Sequence, residues 1–162
     1  MISELTLFAD YHQIHLFDEG SSTDLGDAWT GGAVDDQLAA ADDAMAVGTA
    51  ANMDVSVTVD VRDQPPADDV TGFDHVVEGS LRASSGRVVV MGCTDFEPDA
   101  ARFSVAPGWV RIRVAKSNLA AAYDADNESD DDPATMERLT IQIWPAAHAP
   151  VAVLKRWTRQ GS

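Results

Sequence analysis

Valine alternates with polar residues in the segment Val55-Ser56-Val57-Thr58-Val59-Asp60-Val61. Successive side chains of a β-strand point to opposite faces, so this pattern predicts a strand with one buried face and one polar face. Residues 109–114 and 139–144 repeat the alternation, and Pro145 follows the second of these segments. Weaker strand patterns lie at residues 5–9, 13–17, 76–81, Arg87–Gly92, 102–105 and 151–157.

Short strand patterns separated by turn sequences are typical of an all-β fold. They predict a mainly β protein, an antiparallel β-sandwich of about 8–9 strands, with a closed barrel as the alternative. We expect residues 1–162 to form a single acidic domain. The turn sequences Ser84-Ser85-Gly86 and Ala106-Pro107-Gly108 each lie between two predicted strands and predict hairpin connections.

One short helix is predicted between the early strands. Val34, Leu38, Ala41 and Met45 recur at helical spacing, and aspartates occupy the opposite side. Thr30 would cap the start of this helix, and Gly48 would end it. An acidic loop is the alternative.

The charge of the chain is concentrated in its first half. The formal net charge is −16, and residues 1–81 carry 17 acids and one cation, whereas residues 82–162 carry ten of each. Such asymmetry indicates an interaction surface, although acidity also suits solubility in a high-salt cell. Direct binding of nucleic acid is disfavoured, because its phosphates would be repelled.

Several function classes lack their sequence signatures. No apolar run is long enough for a membrane span, and the first residues do not form a secretory signal, so we expect a cytoplasmic protein. The single Cys93 excludes an internal disulfide, and the four histidines are not spaced as metal ligands. No nucleotide-binding or nucleophile motif is present. We therefore expect no enzyme activity, no cofactor and no metal.

Two functional alternatives stay open at this point. One is a cupin-like β-barrel that binds a metal or a small molecule. The other is an enzyme that uses paired carboxylates in a cleft, although 27 acids make chance pairs common.

Residues 124–132 are rich in acids, with a spacing like that of a calcium-binding loop. An EF-hand loop requires glycine at its sixth position and glutamate at its twelfth, where this chain has Ser129 and Thr135. A solvated acidic surface loop is therefore the better prediction.

A further pattern begins with Tyr11, His12 and Gln13 in an early strand. An acidic turn follows, then Trp29-Thr30, and then Thr49-Ala50-Ala51-Asn52 before the next strand. Residues 103–111 add a strand, a Pro/Gly turn and a strand with an aromatic start. This order of motifs resembles the competence protein J family, whose members are small acidic proteins that inhibit the DNA-entry nuclease encoded beside them. The resemblance implies a non-catalytic inhibitor of a nuclease.

Charge and resemblance agree on a basic protein partner. Fixed carboxylates on a folded protein can occupy the DNA cleft of a nuclease in place of phosphates. We predict a partner-binding surface with Trp29 as its apolar anchor, whereas Trp109 and Trp144 are expected to be core residues at the ends of the sandwich. The acids predicted for this surface are Asp18, Glu19, Asp24, Asp27, Asp35, Asp36, Asp42 and Asp43.

Overall fold

The computed structural model describes residues 2–125 and 132–158. Most of the predicted acidic loop at 124–132 therefore lies outside the described residues, and its comparison with a calcium loop stays a prediction. The strands of the described part are β1 (Ile2–Phe8), β2 (Gln13–Asp18), β3 (Leu38–Ala40), β4 (Ala44–Gly48), β5 (Asp54–Val61), β6 (His75–Ala83), β7 (Arg87–Gly92), β8 (Ala101–Ser104), β9 (Gly108–Ser117), β10 (Arg138–Pro145) and β11 (Ala152–Lys155).

These strands form two sheets that pack face to face. One sheet has six strands in the order β1-β5-β10-β9-β6-β11, and the other has five in the order β3-β4-β2-β7-β8. Strand neighbours run antiparallel except β5 and β10, which are parallel. Neither sheet closes on itself within the described residues, so the sandwich prediction is confirmed and the closed-barrel alternative is wrong.

The alternating valines fill the space between the sheets. Val55, Val57 and Val59 on β5 have no exposed surface, and they belong to a core cluster that also contains Ile14 and Leu16 of β2. The polar residues between the valines are only partly buried. The sequence pattern thus predicts both the strand and the side of the strand that faces the core.

Both predicted hairpin turns are wrong. Residues 84–86 join β6 to β7, and residues 105–107 join β8 to β9, and in each case the two strands belong to different sheets. Gly86 and Gly108 have φ values of +76° and +116°, which favour glycine. A corner between two sheets and a hairpin use the same turn residues, so the sequence does not distinguish them.

The predicted helix is much shorter than expected. Helix α1 spans only Gly31–Asp36, and the Thr30 hydroxyl accepts a hydrogen bond from the N–H of Ala33 at 3.1 Å, as its predicted capping role requires. Gln37 then adopts a left-handed conformation, with φ 59°, and ends the helix. The residues expected to continue it form the β3–β4 hairpin instead.

Packing explains why the sheet prevails over the helix in this segment. Leu38 and Met45 are both buried and lie above Gly79 of β6. A Cβ atom at position 79 would lie 3.0 Å from Leu38 Cδ2, so the missing side chain makes room for both residues. Along β4, Met45 and Val47 face the core. The small residues Ala44 and Ala46 alternate with them and therefore lie on the outer face of the five-stranded sheet.

A second helix, α2 (Leu119–Ala125), was not predicted, and it buries Leu119 and Ala122. Its alanine-rich sequence is a recognisable helix signal. No helix in the described part of the chain is long and apolar enough to cross a membrane.

Candidate protein-binding site

The predicted acidic residues lie on a segment that borders and covers the outer face of the five-stranded sheet. Leu25 in the middle of this segment is buried against Ala39, Ala44 and Ala46, which point outward from β3 and β4. The backbone therefore crosses the sheet face, and Asp24 and Asp27 are exposed on either side of Leu25.

Three of the acids meet at one end of this sheet. The N–H of Asp18 donates to the backbone oxygen of Asp43 at 2.9 Å, and the Thr23 hydroxyl donates to Asp43 Oδ1 at 2.6 Å. Asp42 is the neighbour of Asp43 in the β3–β4 turn and is exposed. Asp18 Oδ1 also accepts the N–H and the hydroxyl of Ser85, at 3.0 and 2.6 Å.

Asp35 and Asp36 lie at the opposite end of the β3–β4 hairpin. The adjacent Gln37 accepts the N–H of Gly48 at 3.0 Å, whereas the Asp42 turn closes the other end of the hairpin. The five residues of β4 span the hairpin and separate its two ends by roughly 13 Å. The predicted acids thus form two groups, and the segment with Asp24 and Asp27 lies between them; we call the eight acids together the acidic face.

Two members of the acidic face are neutralised by nearby cations. Glu19 forms ion pairs with Arg102 at 2.6 Å and with Arg87 at 3.5 Å, and Asp36 pairs with Arg156 at 2.7 Å. Within residues 2–125 and 132–158, no ion pair involves the other six, which are Asp18, Asp24, Asp27, Asp35, Asp42 and Asp43.

Three cations of the second half, Arg111, Arg113 and Lys116, are buried inside the protein. The alternation in β9 directs Arg111 and Arg113 away from the core, but both are buried beneath loops. Both pair with Glu78, at 3.0 and 2.7 Å, and Arg113 also pairs with Asp68 at 2.6 Å. These guanidinium groups therefore do not offset the negative charge at the acidic face.

Trp29 is half-buried at the end of the acidic face. Its indole N–H donates to Gln13 Oε1 at 3.2 Å, and its ring packs over Gly48. Trp29 therefore has a structural role in addition to the predicted role of an anchor. Of the tryptophans expected in the core, Trp144 is buried below Arg113, and Trp109 is half-buried against His148.

The motif residues Tyr11, His12 and Gln13 line a groove next to Trp29. We call it the Tyr11 groove. A first hollow of about 300 Å³ is bordered by Tyr11, Trp29, Val34 and Gln37. It shares His12, Gln37 and Thr49 with a second hollow of about 460 Å³, which extends to Tyr123 and Trp157. The rings of Tyr123 and Trp157 lie 6.1 Å apart.

A buried ion pair that the sequence analysis missed lies next to this groove. Lys116 and Glu137 have no exposed surface, and Lys116 Nζ lies 3.5 Å from Glu137 Oε2. Lys116 also donates to the backbone oxygen of Gly48 and, at 2.5 Å, to Gln37 Oε1. Glu137 Oε1 accepts the N–H of Ala50 at 2.7 Å.

The alternation of the strands contains the missing signal for this pair. Val110, Ile112 and Val114 face the core, and the same spacing leads to Lys116. Extending the inward positions of β10 by two residues toward its start likewise leads to Glu137. Burial lowers the pKa of Lys116 and raises the pKa of Glu137, because each charge is removed from water.

His75 joins the C-terminal segment to helix α1. The N–H of Trp157 donates to His75 Nδ1 at 3.0 Å, so Nε2 carries the proton and donates to the Asp36 backbone oxygen at 2.8 Å. Burial lowers the pKa of His75, and the nearby cations Lys116 and Arg156 lower it further, against the opposing effects of the Asp36 carbonyl and charge. The neutral form of His75 thus holds Trp157 at the groove.

Among the described residues, no three His, Cys, Asp or Glu side chains are close enough to hold a metal ion together. What the arrangement offers chemically is a surface of fixed carboxylates beside an aromatic groove. Both features suit contact with another macromolecule.

Comparison with known proteins supports the fold. No protein-family model matches the chain, and no curated protein matches its sequence. One similar solved structure is that of ComJ from Bacillus subtilis, an inhibitor of the DNA-degrading activity of NucA. The two structures have a TM-score of 0.67 at 15% sequence identity, and the match covers 90% of this chain and 99% of the ComJ chain. The product of crocagin biosynthetic gene J has a TM-score of 0.63 at 22% identity, covering 91% and 98%. The resemblance found in the sequence is thereby confirmed as a likeness of fold.

The buried ion pair yields a prediction about stability. Glu137→Gln leaves the Lys116 charge buried without its counter-charge, and we expect the free energy of unfolding to fall by about 3–5 kcal/mol in urea denaturation. The double variant Lys116→Met with Glu137→Gln removes both charges and should lose less. A double variant as unstable as the single one, or more so, would contradict this role of the pair.

His75 yields a prediction about pH. Because its pKa is lower in the folded protein, the unfolded chain binds a proton first as pH falls below the ordinary value of 6.5, so the protein loses stability on acidification. His15, whose pKa burial also lowers, adds to the same trend. We expect His75→Gln to lose less stability than the wild type between about pH 7.5 and about pH 5.5 in thermal unfolding. An unchanged pH dependence would show that His75 does not titrate in this way.

Proposed function

We propose that this protein is a non-catalytic acidic binding module that inhibits a basic nuclease by occupying its DNA cleft. The observation that carries the proposal is the set of six carboxylates of the acidic face that have no ion pair within the described residues. Their charge stays available to a partner. Of the nearby cations, Arg87, Arg102 and Arg156 are paired with Glu19 and Asp36. The exposed Arg82, whose N–H donates to the Asp42 backbone oxygen at 2.7 Å, lies over the Trp109 ring.

Fixed carboxylates suit such a cleft for a physical reason. A nuclease binds the phosphates of DNA with a surface of positive potential, and a folded protein that presents negative charge enters the same potential. Long-range attraction accelerates the encounter of the two proteins and is weakened by salt. The exposed acids Asp24, Asp27, Asp35 and Asp42 are expected to act mainly in this way.

The similarity in fold to ComJ, an inhibitor of the DNA-degrading activity of NucA, supports the same partner class. At 15% identity this similarity does not extend to individual contact residues. The assignment of those residues rests on charge and exposure in this chain alone.

Charge reversal at the acidic face tests the proposal. We expect the triple variant Asp27→Lys, Asp35→Lys and Asp42→Lys to associate about tenfold or more slowly with the nuclease, because electrostatic steering is lost. The three residues are exposed, and within the described residues none of their side chains forms an ion pair. The measurement is surface plasmon resonance and DNA cleavage with NucA and with the most similar nuclease encoded in the same genome as this protein.

A matched control separates the position of the charges from their number. The triple variant Glu4→Lys, Asp63→Lys and Asp99→Lys changes the net charge equally at three exposed residues that are not members of the acidic face. It should associate several-fold faster than the first triple variant. Equal rates for both variants would refute the acidic face, and failure of the wild-type protein to inhibit either nuclease would refute the proposed function.

A further inference from the structure

Two adjacent residues at the mouth of the Tyr11 groove have a strained backbone. Tyr11 and His12 have φ values of 56° and 57°, in the left-handed region that residues with a Cβ rarely adopt. Each such residue costs roughly 1–2 kcal/mol. Strain of this kind persists where the surrounding structure enforces it, and it is concentrated at binding sites.

Contacts with the backbone on both sides enforce this conformation. Asp10 Oδ1 accepts the N–H of Tyr11 at 3.0 Å, and Asn52 Oδ1 accepts the N–H of His12 at 3.3 Å. The backbone oxygen of His12 accepts the N–H of Thr49 at 2.8 Å. The strained turn is thus fastened to the segment that follows β4, and the Tyr11 side chain stays 69% exposed.

The nearby part of the groove is also fixed from below. Gln37 and Gly48 line the first hollow, and both are bonded to the buried Lys116, which is paired with Glu137. A surface held in place before binding loses little conformational entropy when a partner arrives. Two apolar side chains of the groove are exposed, Tyr11 to 69% and Val34 to 60%. Exposure of neighbouring apolar side chains to water is unfavourable, and contact with a partner would relieve it.

The groove is continuous with the acidic face. Val34 borders the groove and Asp35 follows it in helix α1, while Trp29 contacts both regions. Asp10 lies beside Tyr11, and Asp35 lies beside Val34. The hollow beyond Tyr123 and Trp157 has mixed charges, because Asp74 and Asp124 line it together with Lys155 and Arg156. The apolar hollow at Tyr11, with Asp10 and Asp35 at its border, complements an apolar side chain flanked by basic residues.

We infer that the Tyr11 groove is the apolar centre of the partner interface and receives one projecting aromatic or aliphatic side chain from the basic surface of the protein partner. This inference rests on the proposed function. Tyr11 supplies the exposed aromatic contact, as tyrosines do at energetic centres of interfaces, and the acidic face supplies the surrounding charge. The groove then governs how long the complex lasts, and the acids govern how fast it forms.

The test is removal of the Tyr11 ring without disturbance of the backbone. Tyr11→Asn suits this purpose, because asparagine tolerates the left-handed conformation. With the nuclease bound in the charge-reversal experiment, we expect Tyr11→Asn to dissociate at least about tenfold faster, with an unchanged salt dependence of association. Thermal unfolding should show no loss of stability for this variant.

Phe96→Asn is the matched control, because Phe96 is also an aromatic residue that is 69% exposed but does not border the groove. It should dissociate at the wild-type rate. The inference is overturned if Tyr11→Asn dissociates within twofold of the wild type, or if Phe96→Asn accelerates dissociation equally. In either case a salt-sensitive association would leave the proposed function intact, whereas a wild type that binds no nuclease would overturn both.

Discussion

The buried ion pair between Lys116 and Glu137 is the constraint on which one end of the sandwich depends. Lys116 extends from the inner face of the six-stranded sheet to the backbone of Gly48 in the five-stranded sheet. Glu137 binds the N–H of Ala50 just beyond that strand. Two charges taken out of water need one another and hydrogen bonds from their neighbours, so the pair fixes the relative position of the two sheets at this end. Among the described residues Glu137 Oε2 accepts no hydrogen bond, and its compensation is the Lys116 charge 3.5 Å away.

The distribution of charge follows from how the fold uses its cations. Arg111 and Arg113 are directed away from the core, and both form ion pairs with Glu78 beneath surface loops. Arg102 forms ion pairs with Glu19 and Glu97. The sequence separates acids from bases only by position along the chain. Folding takes Arg111, Arg113 and Lys116 into buried ion pairs. The side chains of Asp24, Asp27, Asp35 and Asp42 stay exposed at the surface.

Much of the fold could be predicted from local patterns. The alternation from Val55 to Val61 shows which side of the strand is buried, and the structure has a strand there. Arg87–Gly92 is a continuous apolar run, and it forms a strand that is buried on both sides from Val88 onward. Residues 38–48 were mistaken for helix because Leu38 and Met45 also fit a helical spacing. The room that Gly79 leaves on a distant strand, which favours the hairpin, has no local signal. The connections at Gly86 and Gly108 were mistaken for hairpins because a turn sequence does not specify which sheet the next strand joins.

The candidate site was less accessible to sequence reasoning. Tyr11, His12 and Gln13 were selected by resemblance, and the groove they border could not be foreseen, because it also requires Val34, Tyr123 and Trp157 from distant parts of the chain. Pairing of Glu19 and Asp36 with arginines likewise depends on long-range contacts. The strained backbone at Tyr11 has no signal in the residue types themselves.

The central claim is that the carboxylates of this protein replace DNA phosphates in a nuclease cleft, and competition for a catalytically inactive nuclease tests it most directly. Fluorescence anisotropy of a labelled DNA duplex bound to that nuclease is followed while the protein is added. We expect the duplex to be fully displaced, and we expect more protein to be needed as the duplex concentration rises. A stable ternary complex, with the duplex still bound at saturating protein, would contradict the central claim.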